Sequence, residues 1–253
     1  MKRVCLFGLS ANPPTGNGGH VGIVKALSAL PLHPQQENSR EKFDEIRVLP
    51  VYRHMFASKR GKQASYDDRL EMCKLAFQDI PRVIVSDDER ICFHKIANEK
   101  GIVNQEEMNK LRVGTAELLE MLMEQEPMTE FSFALGQDTF MDLTTFKWRR
   151  TRDIFSLLNA RLVVFHRKQQ QESDHEDACD VLQQRICHIA KELKEVCPTL
   201  EENLTIVHVK LSSISSTKVR ETTDESFLQE ALHPHVLQYI KDKQLYAFSQ
   251  NIN

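Results

Sequence analysis

The chain has 253 residues, with 33 Lys and Arg against 36 Asp and Glu, a formal charge of −3. That near-balance excludes a nucleic-acid binder driven by global basicity but leaves room for a local phosphate pocket. With 41% hydrophobic and 27% charged residues, the composition is globular, and the chain is long enough to bury a core without disulfide staples.

The start, Met1-Lys2-Arg3-Val4-Cys5-Leu6-Phe7-Gly8, is basic and then apolar. Gly8 to Pro14 breaks the apolar run too early for a secretory core, so the run reads as a buried first strand. No apolar run elsewhere reaches the ~18–20 residues of a membrane span. Short apolar runs at Arg3–Gly8, Glu45–Val51, Arg82–Ser86, Glu130–Gly136, Arg161–His166 and Leu204–Lys210 read as strands. Several, such as Leu162-Val163-Val164-Phe165, are continuously apolar, as in a parallel sheet covered on both faces.

Helical patterns lie between these strands. Val21, Val24 and Leu27, with Ile23 and Leu30, give one apolar stripe, and Leu70, Cys73, Ala76 and Phe77 give another. Leu182, Ile186, Ile189, Leu193 and Val196 give a third, on a helix from about Asp177 to Val196. The alternation predicts an α/β fold with a doubly wound, mainly parallel sheet and a small C-terminal helical part. One domain over residues 1–253 is expected, with insertions at about 91–111 and 169–203. Met121, Met123, Phe131, Phe133 and Phe140 are expected in the core or at its edge.

The six cysteines, Cys5, Cys73, Cys92, Cys179, Cys187 and Cys197, form no Cys-x-x-Cys pair and no zinc spacing. Reduced thiols in a cytoplasmic compartment are expected, with the nucleus as the alternative. The remaining histidines form no metal-ligand pattern either.

After the first strand the chain reads Gly8-Leu9-Ser10-Ala11-Asn12-Pro13-Pro14-Thr15-Gly16-Asn17-Gly18-Gly19-His20, then a helical pattern. A Gly-rich loop entering a helix exposes unpaired N–H groups and the positive end of the helix dipole, which suits phosphate. An ordinary turn with a capping histidine is the alternative. No Gly-x-x-x-x-Gly-Lys-Ser/Thr is present, so this is not a P-loop. Gly16-x-Gly18-x-x-x-Gly22 begins too far past the strand to make the tight turn of a dinucleotide fingerprint.

Gly8-x-Ser10-x-Asn12-Pro13-Pro14 with Gly19-His20 resembles the first signature loop of the nucleotidyltransferase superfamily. Ile214-Ser215-Ser216-Thr217-Lys218-Val219-Arg220 resembles its second signature. Between them, Arg69-x-x-Met72-x-x-x-Ala76, Val85-Ser86-Asp87-Asp88-Glu89, Leu135-Gly136-Gln137-Asp138 and Phe146-Lys147-Trp148 resemble the nicotinate/nicotinamide mononucleotide adenylyltransferases in family order. The likeness covers nearly the whole chain apart from the two insertions. Thr15 stands where the family's first motif histidine follows the Pro pair; counted back from His20, that slot holds Asn17. Arg112-Val113-Gly114-Thr115 replaces the family's aromatic residue before Thr.

The resemblance implies a Rossmann-like nucleotidyltransferase fold and the union of ATP with nicotinate or nicotinamide mononucleotide. The products are a dinucleotide, as in NAD biosynthesis, and pyrophosphate. Catalysis then falls to His20, Arg220 and Lys59. ATP is held by Gly8, Leu9, Ser10, Gly19, His20, Gly136, Asp138, Ser215, Ser216, Thr217 and Arg220. The mononucleotide is held by Ser10, Asn12, Arg53, Lys59, Thr115, Trp148 and Arg167.

Glycine at 18 and 19 is expected because only glycine lets a nucleotide approach so closely. Mg²⁺ is implied as the cofactor, carried mainly by the ATP phosphates with no dedicated protein ligands. ATP and the pyridine mononucleotide are the implied partners; no nucleic acid or membrane is expected, and a homo-oligomer remains open.

Alternatives stay open at several positions. Asp138 also suits an N-cap for a Thr139–Leu143 helix. Lys59, with Arg53 and His54, sits in a basic stretch that could equally be a solvated loop. Arg220 alone would read as a helix-surface cation. Trp148 has the charged neighbours Lys147, Arg149, Arg150 and Arg152, which argue against full burial. Other superfamily transferases (a pantetheine-phosphate adenylyltransferase or a cytidylyltransferase) and a non-catalytic nucleotide-binding module are the competing functions.

Overall fold

A computed structural model describes residues 1–31, 42–53, 63–168, 175–210, 212 and 214–250, with side chains excepted at 167, 168, 175–180, 210 and 250. Six strands occur among these residues: β1 Lys2–Leu9, β2 Glu45–Pro50, β3 Val83–Val85, β4 Thr129–Gly136, β5 Leu162–Lys168 and β6 Leu204–Lys210. They form one parallel sheet in the order β3-β2-β1-β4-β5-β6. Each of the six apolar runs read as a strand is one. β2 is buried at every position, and Val4, Cys5 and Leu6 of β1 are fully buried, which is why these runs do not alternate. In β2 and β3, Ile46 lies opposite Val83 and Val48 opposite Val85; in β4 and β5, Phe133 lies opposite Leu162 and Gly136 opposite Phe165.

The helices, in chain order, are α1 His20–Ala29, α2 Tyr66–Phe77, α3 Asp88–Glu99, α4 Gln105–Lys110, α5 Thr115–Gln125, α6 Gln137–Thr144, α7 Thr151–Leu157, α8 His175–Glu192, α9 Leu200–Asn203, α10 Ser216–Glu221, α11 Glu225–Ala231 and α12 Pro234–Asp242. A 3₁₀ turn at Tyr246–Gln250 follows. The last three helices and this turn are the expected C-terminal helical part. Their starts are written in the sequence. Ser215 accepts the Lys218 N–H, Asp224 accepts those of Ser226 and Phe227, and Pro234 sits at the first turn of α12.

The chain divides into two compact units. One holds Met1–Leu6 and Asp88–Val209, the other Phe7–Asp87 and Lys210–Asn253. The core of the first is aromatic: Phe131, Phe140, Phe155 and Phe165 are buried to 1% exposure or less, and Met121 and Phe133 are buried with them, as expected. The stretch at about 91–111 forms most of α3 and all of α4, and α3 buries Cys92, Phe93 and Ala97. The stripe of α8 also stands, with Leu182, Ile186 and Ile189 buried. That helix stops at Glu192, short of the expected Val196. The Val196 N–H bonds back to the Leu193 carbonyl, and Pro198 then disfavours helical backbone at Cys197.

Among the described residues no helix is long and apolar enough to cross a membrane. Cys5, Cys73, Cys92, Cys187 and Cys197 are free thiols. Burial lifts Cys5 and Cys73 above the ordinary thiol range and, with Glu117 and Glu89 nearby, pushes Cys92 up to about 12. These three are packing residues rather than nucleophiles.

Candidate active site

β1 delivers the chain at its carboxyl end into the loop that precedes α1. In a sheet of this strand order the direction of winding reverses at β1, and ligands bind beyond the strand ends at such a reversal. The loop is held from inside. Asn12 is 6% exposed and Thr15 only 2%. The Asn12 Oδ1 accepts the Ala64 N–H at 3.0 Å and the Tyr246 hydroxyl at 2.9 Å. The Asn12–Pro13 peptide is cis. The Gly16 N–H donates to the Ala231 carbonyl at 2.8 Å.

The second signature meets this loop. Ser216 Oγ donates to the Pro13 carbonyl at 2.9 Å, and Arg220 Nη1 donates to the Asn12 carbonyl at 2.7 Å. Arg220 Nη2 donates to Thr217 Oγ1 at 3.1 Å. The Ser212 N–H donates to the Gly18 carbonyl at 3.1 Å. Stretches about 200 residues apart in sequence are thus stitched together by three of these hydrogen bonds, two of them linking one signature to the other. Arg220 is half-buried and has no carboxylate partner among the described residues. Two of its five N–H groups are engaged, so a cationic fork remains for an anion.

His20 opens α1. Its Nδ1 lies 3.0 Å from the Thr15 N–H and 2.8 Å from Thr15 Oγ1, and its own N–H donates to Thr15 Oγ1 at 3.2 Å. At the two glycines before it, the protein's own side chains leave no room for a Cβ. A Cβ at Gly19 would stand 2.0 Å from Thr15 Oγ1, and one at Gly18 would stand 1.9 Å from Ser212 Oγ. Glycine is required there by the protein's own side chains. At Gly136, by contrast, a Cβ meets nothing within 4 Å.

Arg69 organises the same end of the sheet, a role that its place in a family-like helix motif did not reveal. It is 2% exposed, and it donates to the carbonyls of Ser10 at 2.9 Å, Val51 at 2.7 Å and Tyr52 at 3.4 Å, and of Ala64 at 3.3 Å. One guanidinium therefore ties the loops after β1 and β2 to the start of α2. A buried guanidinium whose N–H groups meet several main-chain carbonyls fixes the backbone of the loops that carry them.

The other expected residues fall as follows. Leu9 is buried, Gly8 and Ser10 are half-buried, and the Ser10 carbonyl is held by Arg69. Arg53 is half-buried just beyond β2. Ser215 caps α10, and Thr217 is exposed. In the first unit, Thr115 is the first residue of α5, Gly136 caps α6, and Asp138 is exposed in the first turn of α6 rather than at its cap. Trp148 is half-buried, its ring edge-on to Phe133 at 6.3 Å between centroids. Lys59 and His54 lie outside the described residues, as does the Arg167 side chain. No three of His, Cys, Asp and Glu come together as a metal cage among the described residues.

A family model described as cytidylyltransferase-like matches residues 35–222. Among curated proteins, one of Shewanella pealeana with the name "Probable nicotinate-nucleotide adenylyltransferase" is 26% identical over 85% of this chain and 88% of its own length. One of Anaeromyxobacter dehalogenans with the same name is 30% identical over 66% of this chain and 72% of its own. Among solved structures, Plasmodium falciparum nicotinic acid mononucleotide adenylyltransferase superposes with TM-scores of 0.61 (complexed with APC) and 0.63 (complexed with NaAD). In both, the identity is 18%, and 98% of each chain is covered. That likeness carries the fold. With the two signatures in contact and the model matching most of its length, the chain belongs to the cytidylyltransferase-like family of nucleotidyltransferases.

Proposed function

We propose that the protein is an adenylyltransferase that joins ATP to nicotinate mononucleotide, giving the dinucleotide and pyrophosphate as a step of NAD biosynthesis. The observation that carries this reading is the meeting of the two signatures: Ser216 on Pro13 and Arg220 on Asn12, beside His20 at the start of α1. The shared name of the curated relatives supports the acid form of the acceptor.

In this reaction an oxygen of the mononucleotide 5′-phosphate attacks the α-phosphorus of ATP. A new P–O bond forms as the bond to the β-phosphate bridge oxygen breaks, and pyrophosphate leaves with that electron pair. The nucleophile is already an anion, so no general base or covalent intermediate is needed. The protein contributes alignment and charge stabilisation. His20 donates an N–H to an α-phosphate oxygen, and the remaining fork of Arg220 draws the charge of the leaving phosphates. Ser215, Ser216 and Thr217 fix the start of α10 and supply main-chain donors beside that fork. The described groups at this end of the sheet are hydrogen-bond donors rather than metal ligands. A Mg²⁺ would therefore be held mainly by the triphosphate itself, where it would supply charge neutralisation beside His20 and Arg220.

Lys59, Arg53 and Arg167 for the mononucleotide, Trp148 and Thr115 for the pyridine, and Gly136 and Asp138 for the adenosine enter this proposal from the family resemblance. A cytoplasmic location belongs to the same proposal, supported by free, buried thiols.

The test is pyrophosphate release with ATP and Mg²⁺ across a panel of acceptors. Release with nicotinate mononucleotide, slower release with the amide, and none with phosphopantetheine or a sugar phosphate is the expected result. His20→Ala lowers kcat by about a hundredfold or more with the fold intact. Nucleotide binding without release from any acceptor would sink the enzymatic reading.

A further inference from the structure

Thr15 attracts attention as a departure from the family pattern, and the proposed chemistry makes no use of it. Its surroundings give it a task. It is 2% exposed in a loop whose neighbours are held by main-chain hydrogen bonds. Its side-chain oxygen accepts the His20 N–H, and its carbonyl accepts the Val21 N–H at 3.0 Å. These are two of the N–H groups that a helix start leaves without a partner, and the α1 cap residue, Gly19, has no side chain to serve them. The absent Cβ of Gly19 makes the space that Thr15 Oγ1 occupies.

The decisive contact is the one to the ring. A main-chain N–H donates and cannot accept. With the Thr15 N–H 3.0 Å from His20 Nδ1, that nitrogen must offer its lone pair. The Nδ1–H tautomer and the doubly protonated ring both set hydrogen against hydrogen there. The hydroxyl alone would leave the matter open, because it can donate or accept. We propose that Thr15 is a positioning residue that grips His20 by its Nδ1 edge, so that the neutral imidazole carries its single proton on Nε2 and offers that N–H to a phosphate oxygen. The catalytic half of this statement rests on the nucleotidyl-transfer reading. The tautomer half rests on geometry alone.

The test uses the whole chain with ¹⁵N-labelled histidine. Two-bond ¹H–¹⁵N spectra near neutral pH, with His20 assigned by its loss in His20→Gln, report the tautomer directly. The expected wild-type pattern is that of Nε2–H. In Thr15→Val, which keeps the shape and the main-chain N–H but removes the hydroxyl, the Nε2–H tautomer persists, while the His20 ring signals shift and broaden because the ring edge and the His20 N–H each lose a hydrogen bond. There kcat falls about ten- to a hundredfold while both KM values stay within about twofold. Thr15→Ser restores most of the rate and the wild-type spectrum.

An Nδ1–H or doubly protonated pattern in the wild type overturns the proposal, even if Thr15→Val does not fold. So does Thr15→Val with an unchanged kcat, or with a change confined to KM, which is the mark of direct substrate contact. If the wild type transfers to no acceptor yet gives the Nε2–H pattern, the enzymatic reading fails and the positioning role stands.

Discussion

Arg220 donates Nη1–H to the carbonyl of Asn12 at 2.7 Å, across 208 residues of sequence. The same Asn12 receives Ala64 and Tyr246 on its side-chain oxygen, so the signature loop, the start of α2 and the C-terminal 3₁₀ turn converge on one buried residue. The cation that would grip phosphate is thereby also a brace for the loop that would surround it. Its side chain is aimed before any ligand arrives, which lowers the entropy lost on binding.

Arg220→Lys separates charge from geometry. Lysine keeps the cation but has no planar fork, so it cannot hold Asn12 and grip an anion at the same time. A fall in kcat/KM of about a hundredfold is expected, with a stability loss of about 1–2 kcal/mol for the lost carbonyl bond. Initial rates and urea midpoints measured on the same preparations check the two parts. A full rate with a lowered midpoint would reduce Arg220 to a brace.

Gly19→Ala sets a methyl group where Thr15 Oγ1 lies, 2.0 Å away, with Thr15 Cβ at 2.9 Å. Both atoms belong to a buried side chain, so either the loop or α1 must move. Overpacking of this kind costs about 1–3 kcal/mol. Because the displaced atom touches His20, kcat falls too. Gly136→Ala is the stability control: the space is open and the backbone, at φ −72°, is ordinary. Its unfolding midpoint stays within about 0.5 kcal/mol of wild type. Equal losses at the two glycines would contradict this account.

Arg69→Leu removes the donor shared by the Ser10, Val51, Tyr52 and Ala64 carbonyls and keeps an apolar stem in a site that is 2% exposed. Several main-chain carbonyls are left without their donor. A loss of about 2–3 kcal/mol is expected. Turnover falls as well, since the loops after β1 and β2 lose their common tether. Chemical denaturation checks the first, and single-turnover rates check the second. A midpoint equal to wild type would show that water replaces the guanidinium without loss.

The strands and the aromatic core were legible because burial on both faces leaves an unbroken apolar run, as in Leu162–Phe165. The pairing of the two signatures was legible from their resemblance to a family, not from periodicity. What escaped is whatever depends on a partner far away in sequence. Arg69 looks like one charged residue on a helix until the carbonyls of Ser10 and Val51 are brought to it. Gly18 and Gly19 announced a close approach, but only coordinates say that Ser212 and Thr15 are what approaches. The early end of α8 was visible in principle, since Pro198 stands in the sequence and the apolar stripe simply outvoted it. Asp138 lost the cap position to Gly136 because β4 runs straight into α6 without an intervening turn.

Tyr239 of α12 donates its hydroxyl to Asp68 of α2 at 2.9 Å, and burial together with that carboxylate pushes the phenol up to about 12. The sign of the pH effect follows. The phenol's ordinary value is 10.0, so the folded state holds the proton more tightly than the unfolded chain does. The bond stabilises fully below about pH 10 and is lost as pH rises through about 12, where a phenolate would face a carboxylate. Tyr239→Phe removes about 1–2 kcal/mol at neutral pH, as for a hydrogen bond to a charged group. The gap in Tm between wild type and Tyr239→Phe should be constant from neutral pH to about 10, then close between about 10 and 12. Lysines also titrate in that range, but equally in both proteins, so they cancel in the difference. A gap that held its size through pH 12 would mean the two helices are joined by packing of the ring and not by the hydrogen bond.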